Sequence, residues 1–239
     1  MNLNLENKIA VVTGGSKGIG AAIVESFVNE GATVHFCARN ESEINAFLEK
    51  NNNNNKIKPT VLDVNDQSAF KDWINSIGAI DIFIPNVSAL SDDWNDSIKV
   101  DLTTTIENIK AVIPMLVNKD AAVTFIGSES SYTHKPDTEA YGAIKAALTY
   151  HIKCLALTHA NKIRFNVVAP SSVLSPDNGW DKFRQECPER YREKELALPL
   201  ERLATAKEVA DVVVFVSSPV SSYVVGATIH VNGGAMIAN

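Results

Sequence analysis

The stretch from Ile9 to Gly20, with the sequence IAVVTGGSKGIG, constrains the fold of this chain more than any other. It opens with a continuous apolar run, which predicts a strand buried on both faces, as in a parallel sheet. A helical pattern follows, and its apolar residues share one face: Ile19, Ile23, Phe27 and Val28. A buried strand thus leads through a glycine-rich turn into an amphipathic helix.

The turn carries glycine at positions 14, 18 and 20, in the order Thr-Gly-x-x-x-Gly-x-Gly. Glycine lets the backbone turn tightly and come close to a ligand. The helix after the turn begins with unpaired N–H groups and a partial positive charge, which suit a diphosphate. On spacing alone, an ordinary strand-to-helix loop explains the same glycines equally well.

Three residues further along the chain suit carbonyl chemistry: Ser128, Tyr141 and Lys145. The segment from Asp137 to Ala160 is predicted to be a helix, on which Tyr141 and Lys145 stand four residues apart with adjacent side chains. Ser128 follows a predicted strand from Ala121 to Gly127. The carboxyl ends of such strands line the ligand crevice of open α/β sheets, so Ser128 is expected to face the same crevice.

Reduction of a ketone requires a proton on the carbonyl oxygen as hydride reaches the carbon. A free tyrosine, with a pKa of ~10, transfers that proton poorly at neutral pH. A nearby ammonium stabilises the phenolate, and a serine hydroxyl can hold the same oxygen. Tyr-x-x-x-Lys alone is a weak pattern, because both residues are common on solvated helix faces. Joined to the serine and the glycine turn in this order, it is poorly explained by chance.

The glycine turn, Ser128, Tyr141 and Lys145 together resemble the short-chain dehydrogenase/reductase family, and within it the 3-oxoacyl-carrier-protein reductase branch. The resemblance runs from Asn7 to Gly234. It implies a Rossmann-type, doubly wound parallel sheet of about seven strands with helices on both faces. It also implies an NADP(H)-dependent oxidoreductase that interconverts a ketone or aldehyde and an alcohol, with Tyr141 as general acid and base. The alternative from another functional class is a dinucleotide-binding sensor or scaffold without turnover.

The same resemblance implies where the cofactor would bind. The glycine turn would hold the diphosphate. Asp63, after the third strand, would bind the adenine amino group, and Lys145 would bind the nicotinamide ribose. The predicted cofactor-binding residues are Gly14, Ser16, Lys17, Gly18, Ile19, Gly20, Arg39, Asp63, Val64, Asn86, Ser88, Tyr141, Lys145, Pro170, Ser171, Val173 and Ser175. For Asp63, a helix-capping role explains the sequence nearly as well.

The end of the second predicted strand bears on which dinucleotide binds. NAD-preferring Rossmann proteins place an acidic side chain there to accept the ribose 2′-OH. This chain has Ala38 followed by Arg39, and Lys17 adds a second cation in the glycine turn. A guanidinium suits a 2′-phosphate, so NADP(H) is the predicted cofactor. The alternative is that both residues are solvated surface cations.

The chain departs from the family pattern at several positions. Ser88 and Ser171 stand where glycine is usual, and Ser175 stands where threonine is usual. Asp101 replaces an asparagine that holds a water linking the catalytic lysine to solvent. Aspartate is isosteric with asparagine but cannot donate when ionised. It could hold the water, carry the proton itself or pair with a lysine; otherwise it is an incidental buried or capping carboxylate.

Strands and helices alternate without a visible linker or repeat, which implies a single doubly wound domain over residues 1–239. Further strands are predicted at 33–38, 57–62, 81–84, 163–169 and 228–231, and further helices at 42–50, 69–77, 94–117 and from Thr205 as N-cap. Thr205 and Glu208 are predicted to form a capping box. The asparagines at 51–55 predict a mobile surface loop. Residues 175–200 are predicted to hold a helical lid over the substrate, or else a plain surface excursion.

Net charge, apolar runs and cysteine content indicate which partners and cellular locations to expect. A net charge of −6 gives no reason to expect a nucleic-acid partner. Neither a signal peptide nor a membrane span is predicted, because no basic leader and no run of ~18 apolar residues occur. The three cysteines form no metal pattern, and reduced thiols in the cytoplasm are expected. The family resemblance implies a homotetramer, in which the helices at 94–117 and 137–160 pack against a partner subunit.

Overall fold

Parallel strands with helices on both sides build the structure, a computed structural model that describes residues 1–134 and 138–237. The strands are β1 (Ile9–Thr13), β2 (Thr33–Ala38), β3 (Ile57–Val61), β4 (Ile82–Ile84), β5 (Ala121–Ile126), β6 (Ile163–Pro170), β7 (Val173–Leu174), β8 (Ala204–Thr205) and β9 (Thr228–Val231). A seven-stranded sheet has the order β3-β2-β1-β4-β5-β6-β9, and every pairing in it is parallel. This confirms the predicted doubly wound α/β sheet.

The helices connect successive strands, as parallel pairing requires. They are α1 (Gly18–Asn29), α2 (Glu41–Lys50), α3 (Gln67–Ile77), α4 (Trp94–Asp96), α5 (Thr105–Val112), α6 (Glu139–His159), α7 (Gly179–Glu186), α8 (Pro188–Leu196) and α9 (Ala206–Ser217). Among these described helices, none combines the length and the apolar character that crossing a membrane requires.

The core lies on both faces of the sheet, and β1 shows why. Ala10 and Val12 belong to the apolar cluster with α1, α2 and α9, whereas Val11 between them belongs to the cluster with α3, α5 and α6. Successive residues of a strand point to opposite faces, so a continuous apolar run feeds both clusters. Phe27 and Phe83, one in each cluster, are fully buried. Burying such a side chain contributes about 1.5–3 kcal/mol.

The helix predicted at 94–117 is present as a continuous helical segment up to Met115, but its winding is not uniform. A π-helix spans Ser97–Thr104 between α4 and α5, and a 3₁₀ turn at Ile113–Met115 follows α5. The wider π turn lets Ser97, Asp101 and Thr104 all be buried, and each finds a polar contact outside the regular helix ladder. Pro114 in the 3₁₀ turn lacks an N–H and cannot continue an α-helix.

The boundaries of β2 and β9 are as predicted, and most others differ by one or two residues. The helix of Tyr141 and Lys145 begins at Glu139; the predicted start at Asp137 lies outside the described residues. The short pair β7–β8 was not predicted from the sequence. The stretch at 175–200, predicted to be helical, contains two helices, α7 and α8. The capping box of α9 is confirmed.

Candidate active site

Lys145 is held at the carboxyl end of β5 by its place on α6. Its Nζ donates to the carbonyl oxygen of Ile126 at 3.2 Å and lies 4.9 Å from the centre of the Phe125 ring. The same Nζ lies 5.6 Å from the centre of the Tyr141 ring. Only 2% of Lys145 is exposed. A buried ammonium is therefore fixed close to the tyrosine ring, as the four-residue spacing predicted.

Ser128 lies two residues after the end of β5, and the turn that follows it packs closely against α6. A Cβ on Gly142 would lie 2.8 Å from the carbonyl oxygen of Ser130, so only glycine allows α6 to pack this closely on the turn after Ser128. The Ser128 hydroxyl oxygen accepts from the N–H of Ser130 at 3.1 Å. That bond uses a lone pair and leaves the hydroxyl proton to be donated to a ligand.

Asp101 reaches the same place from the π-helix. Its Oδ1 lies 3.7 Å from Lys145 Nζ, and its Oδ2 accepts from the N–H of Ala89 at 3.2 Å. Asp101 is 1% exposed, and within residues 1–134 and 138–237 its Oδ1 has no hydrogen-bond partner. This geometry matches one of the alternatives raised by the sequence, in which Asp101 pairs with a lysine.

The start of α6 depends on a residue that the sequence did not single out. The N-cap position, Thr138, makes no side-chain capping bond, and Asp92 takes over from the loop after β4. Asp92 Oδ1 accepts from the N–H of Ala140 at 3.0 Å and of Tyr141 at 3.4 Å. No local pattern could reveal this cap, because the two segments are 48 residues apart in the sequence.

The glycine turn has the shape that a diphosphate needs. Gly14 adopts a φ of +71°, and a Cβ on Gly20 would lie only 2.0 Å from the carbonyl oxygen of Gly14. Lys17 occupies the N-cap of α1 without a side-chain capping bond. The first-turn N–H groups of α1 thus lack a side-chain acceptor within the described part of the chain and point at the turn. These residues fit a dinucleotide diphosphate.

Asn86, Ser88 and Asp63 lie just after the carboxyl ends of β4 and β3, and each makes hydrogen bonds to nearby groups. Asn86 Nδ2 donates to the carbonyl oxygens of Thr13 at 2.9 Å and Gly14 at 3.3 Å, so it ties β4 to the glycine turn. The hydroxyl oxygen of Ser88 accepts from the N–H of Leu90. Asp63 Oδ1 accepts from the N–H and the side-chain amide of Asn65.

The helix-capping alternative for Asp63 is contradicted by the next helix. Asp66, not Asp63, is the N-cap of α3, where its side chain accepts from the N–H of Ala69. Val64, the next residue after Asp63, is buried in the core.

The segment from Pro170 to Ser175 returns to the glycine turn. A Cβ on Gly18 would lie 3.7 Å from the hydroxyl oxygen of Ser175, which places that serine beside the start of α1. Ser171 donates its N–H to the carbonyl oxygen of Val231, and Val173 is buried in β7. Pro170 ends β6, the strand next to β5. The chain therefore brings Ser175 next to the glycine turn.

The expected pair of cations at the end of β2 differs from the prediction in one respect. Arg39 is exposed directly after β2, but Lys17 Nζ is paired with Glu43 Oε1 at 2.9 Å. The hydroxyl of Ser16 also donates to Glu43, at 3.3 Å from Oε2. No sequence pattern predicts this contact, because acidic residues are common in the first turn of any helix.

The aromatic residues of the stretch at 175–200 pack against one another. The ring centres of Trp180 and Phe183 are 6.0 Å apart, and those of Phe183 and Tyr191 are 6.4 Å apart. This cluster joins α7 to α8, and Asn178 ties the start of α7 to the carbonyl oxygen of Val173.

Comparison with known proteins agrees with this geometry. Residues 14–236 match the sequence profile of a family described as Enoyl-(Acyl carrier protein) reductase. The chain is 34% identical over 246 positions to the 3-oxoacyl-[acyl-carrier-protein] reductase FabG of Vibrio harveyi, covering 97% of this chain and 98% of that protein. It is 32% identical over 250 positions to the isoepoxydon dehydrogenase patN of Aspergillus clavatus, covering 97% and 95%.

Among solved structures, the aldohexose dehydrogenase of Thermoplasma acidophilum superposes with a TM-score of 0.86 at 26% identity, over 99% of this chain and 97% of that one. The sheet order, the glycine turn and these full-length relatives agree with one another. The protein therefore belongs to the short-chain dehydrogenase/reductase family of hydride-transferring oxidoreductases and is similar to its 3-oxoacyl-carrier-protein reductases.

Proposed function

We propose that the protein is an NADP(H)-dependent reductase or dehydrogenase of a small carbonyl or alcohol compound. The observation that carries the proposal is the buried Lys145 ammonium, 5.6 Å from the Tyr141 ring centre, at the strand end that leads into Ser128. This group of side chains can supply a proton to a carbonyl oxygen at the sheet edge where ligands of α/β proteins bind. Relatives named as reductases and dehydrogenases support this class of reaction.

In this proposal Tyr141 gives its phenolic proton to the substrate oxygen during reduction and takes it back during oxidation. The bound dinucleotide supplies or accepts the hydride. Lys145 stabilises the phenolate that remains, and Ser128 donates a hydrogen bond to the same substrate oxygen. Both effects act in a crevice whose lysine is shielded from water, where charge interactions are stronger than in bulk solvent. The Asp101 carboxylate pairs with the same ammonium at 3.7 Å.

The proposed cofactor site runs along the carboxyl edge of β1 and its neighbours. The first turn of α1 would bind the diphosphate, and Ser175 lies near enough to add a hydroxyl. Arg39 and Lys17 would flank a 2′-phosphate, and Ala38 offers no carboxylate to a 2′-hydroxyl. Asn86 donates to the carbonyl oxygen of Thr13 before the glycine turn and would lie beside the ribose.

The helices α7 and α8 are the proposed lid within a single domain over residues 1–239. They follow directly on the segment at 170–175 and carry the Trp180, Phe183 and Tyr191 cluster. A lid of this kind would exclude water while the proton moves.

We also propose that the protein is a homotetramer. Tyr150 and Leu157, on one stripe of α6, are 74% and 85% exposed, and Tyr223 near β9 is fully exposed. Large apolar side chains are thus exposed on two separate surfaces. A tetramer with two-fold symmetry can bury each of these surfaces in a different interface. Light scattering at micromolar concentration is expected to report four chains per particle; a monomer would contradict the proposal.

The rival function, a dinucleotide-binding sensor without turnover, has one observation in its favour. Asp101 places a negative charge beside the ammonium that should stabilise the phenolate. The two functions separate in one assay, NADPH oxidation with a panel of ketones, aldehydes and 3-oxoacyl thioesters. Turnover that disappears in Tyr141→Phe supports the reductase. Tight NADPH binding without turnover on any member of the panel supports the sensor.

A further inference from the structure

Glu43 contacts both polar side chains of the glycine turn. Its two carboxylate oxygens lie 2.9 Å from Lys17 Nζ and 3.3 Å from the hydroxyl oxygen of Ser16. The Lys17 side chain is 75% exposed and that of Glu43 35% exposed, so the pair lies at the surface of the turn. Such a pair contributes little to stability by itself. Its position matters more, because Lys17 is one of two cations proposed to bind a 2′-phosphate.

The backbone at Glu43 is fixed without its side chain. Asn40 caps α2, and its side-chain oxygen accepts from the N–H groups of Ser42 and Glu43. The Glu43 carboxylate is therefore not needed to cap α2 and can bind Lys17 and Ser16 of the glycine turn. Glu41, in the same first turn, is exposed and has no ion-pair partner among the described residues. The two glutamates differ in the contact with Lys17 and Ser16.

We propose that Glu43 is a specificity-determining residue that limits the preference for NADPH over NADH, an inference that rests on the proposed dinucleotide function. A 2′-phosphate carries close to two negative charges at neutral pH. It must compete with Glu43 for the Lys17 ammonium, and the nearby carboxylate repels it. A 2′-hydroxyl has no charge and meets neither penalty. Glu43 therefore weakens binding of the phosphorylated dinucleotide selectively.

The direct test measures dissociation constants of NADPH and NADH by quenching of intrinsic fluorescence in Glu43→Gln and the parent protein. Glutamine keeps the size of the side chain and removes the charge. NADPH is expected to bind about tenfold more tightly to the variant, and NADH to change by less than about threefold. Glu41→Gln is the matched control, because it removes the same charge from the same helical turn. It is expected to change neither constant by more than about twofold.

A second pair of variants tests whether the effect passes through Lys17. Lys17→Met should weaken NADPH binding, and adding Glu43→Gln to it should produce a clearly smaller gain than in the parent. A gain undiminished by Lys17→Met would overturn the inference, as would equal effects of Glu43→Gln and Glu41→Gln. A gain of the same size for NADH would also overturn it. Failure of the parent to bind either dinucleotide would remove the proposed function and the inference together, whereas binding without these differences removes the inference alone.

Discussion

Asp101 and Lys145 form a buried ion pair, with 3.7 Å between Oδ1 and Nζ and with side chains 1% and 3% exposed. The carboxylate is bound on its other oxygen by the N–H of Ala89, so it cannot turn away without losing that bond. The ammonium donates to Ile126 as well. The charge that would favour a tyrosine phenolate is thus partly balanced by a fixed opposite charge.

The first prediction concerns this balance. Asp101→Asn removes one negative charge beside Lys145, which then favours a phenolate at Tyr141 more strongly. Alcohol oxidation on the acidic side of the pH profile should therefore be faster in the variant than in the parent protein. The measurement is kcat/KM for NADP⁺-dependent alcohol oxidation between pH 6 and 10. An unshifted profile in a folded variant would show that Asp101 has no electrostatic influence on the proton transfer.

The second prediction concerns the proton donor. Tyr141→Phe keeps the ring but has no proton to give, so kcat should fall by a factor of ~10²–10⁴. The dissociation constant of NADPH should stay nearly unchanged. Tyr150→Phe, on the exposed face of the same helix, serves as the control and should retain the parent rate. Near-parent activity in Tyr141→Phe would remove Tyr141 from the mechanism.

Lys145 can be separated from Tyr141 by the same two readouts. Lys145→Ala should lower kcat and also weaken NADPH binding, because the lysine is proposed to bind the nicotinamide ribose. A variant that lost rate alone would contradict the ribose contact.

The third prediction is the cofactor preference. Hydrogen bonds to charged groups contribute about 1.5–3 kcal/mol each, and Arg39 and Lys17 lie near the surface. After allowance for solvent, NADPH should be favoured over NADH by roughly one to three orders of magnitude in kcat/KM. Because Lys17 is already paired with Glu43, we expect the lower part of that range. The double variant Ala38→Asp with Arg39→Leu should reverse the preference, since a carboxylate repels a 2′-phosphate and accepts a 2′-hydroxyl.

The fourth prediction is a pH dependence of stability outside the site. A hydrogen bond from Arg202, followed by one from the N–H of Thr205, lowers the pKa of Glu208 to about 2. A depressed pKa means that the contribution is complete above the usual value near 4.5 and is lost as the pH falls towards 2. Glu208→Gln should cost ~1 kcal/mol at pH 7, after allowance for exposure, and progressively less below pH 4.

Urea unfolding at pH 7 and pH 3 measures that difference. Glu189→Gln is the control, because Glu189 is an exposed acidic residue in the first turn of α8. A cost for Glu208→Gln that stays constant between the two pH values would contradict the assignment.

Sequence patterns predicted the features that depend on neighbours along the chain. The exact ends of β2 and the capping box of Thr205 and Glu208 are examples, because a strand run or a cap is written in adjacent residues. The four-residue spacing of Tyr141 and Lys145 belongs to the same class.

Contacts between distant segments were not predictable in this way. The cap that Asp92 gives to α6 and the pairing of Glu43 with Lys17 join segments 48 and 26 residues apart. Neither contact can be predicted from neighbouring residues, because acidic residues are frequent in loops and in the first turns of helices. The π winding at Ser97–Thr104 was missed for a related reason. Its apolar spacing is that of a helix, and the extra residue is revealed only by the buried partners of Asp101 and Thr104.

The π-helix has a consequence for changes in chain length. A π turn holds about one residue more than an α turn, so deletion of one residue within Ser97–Thr104 can be absorbed by rewinding to an ordinary helix. The helices on either side would keep their phase relative to the sheet, while Asp101 would rotate away from Lys145. The extra residue of the π-helix thus positions the Asp101 carboxylate next to Lys145. A one-residue deletion in this segment is expected to remove that contact while leaving the fold intact.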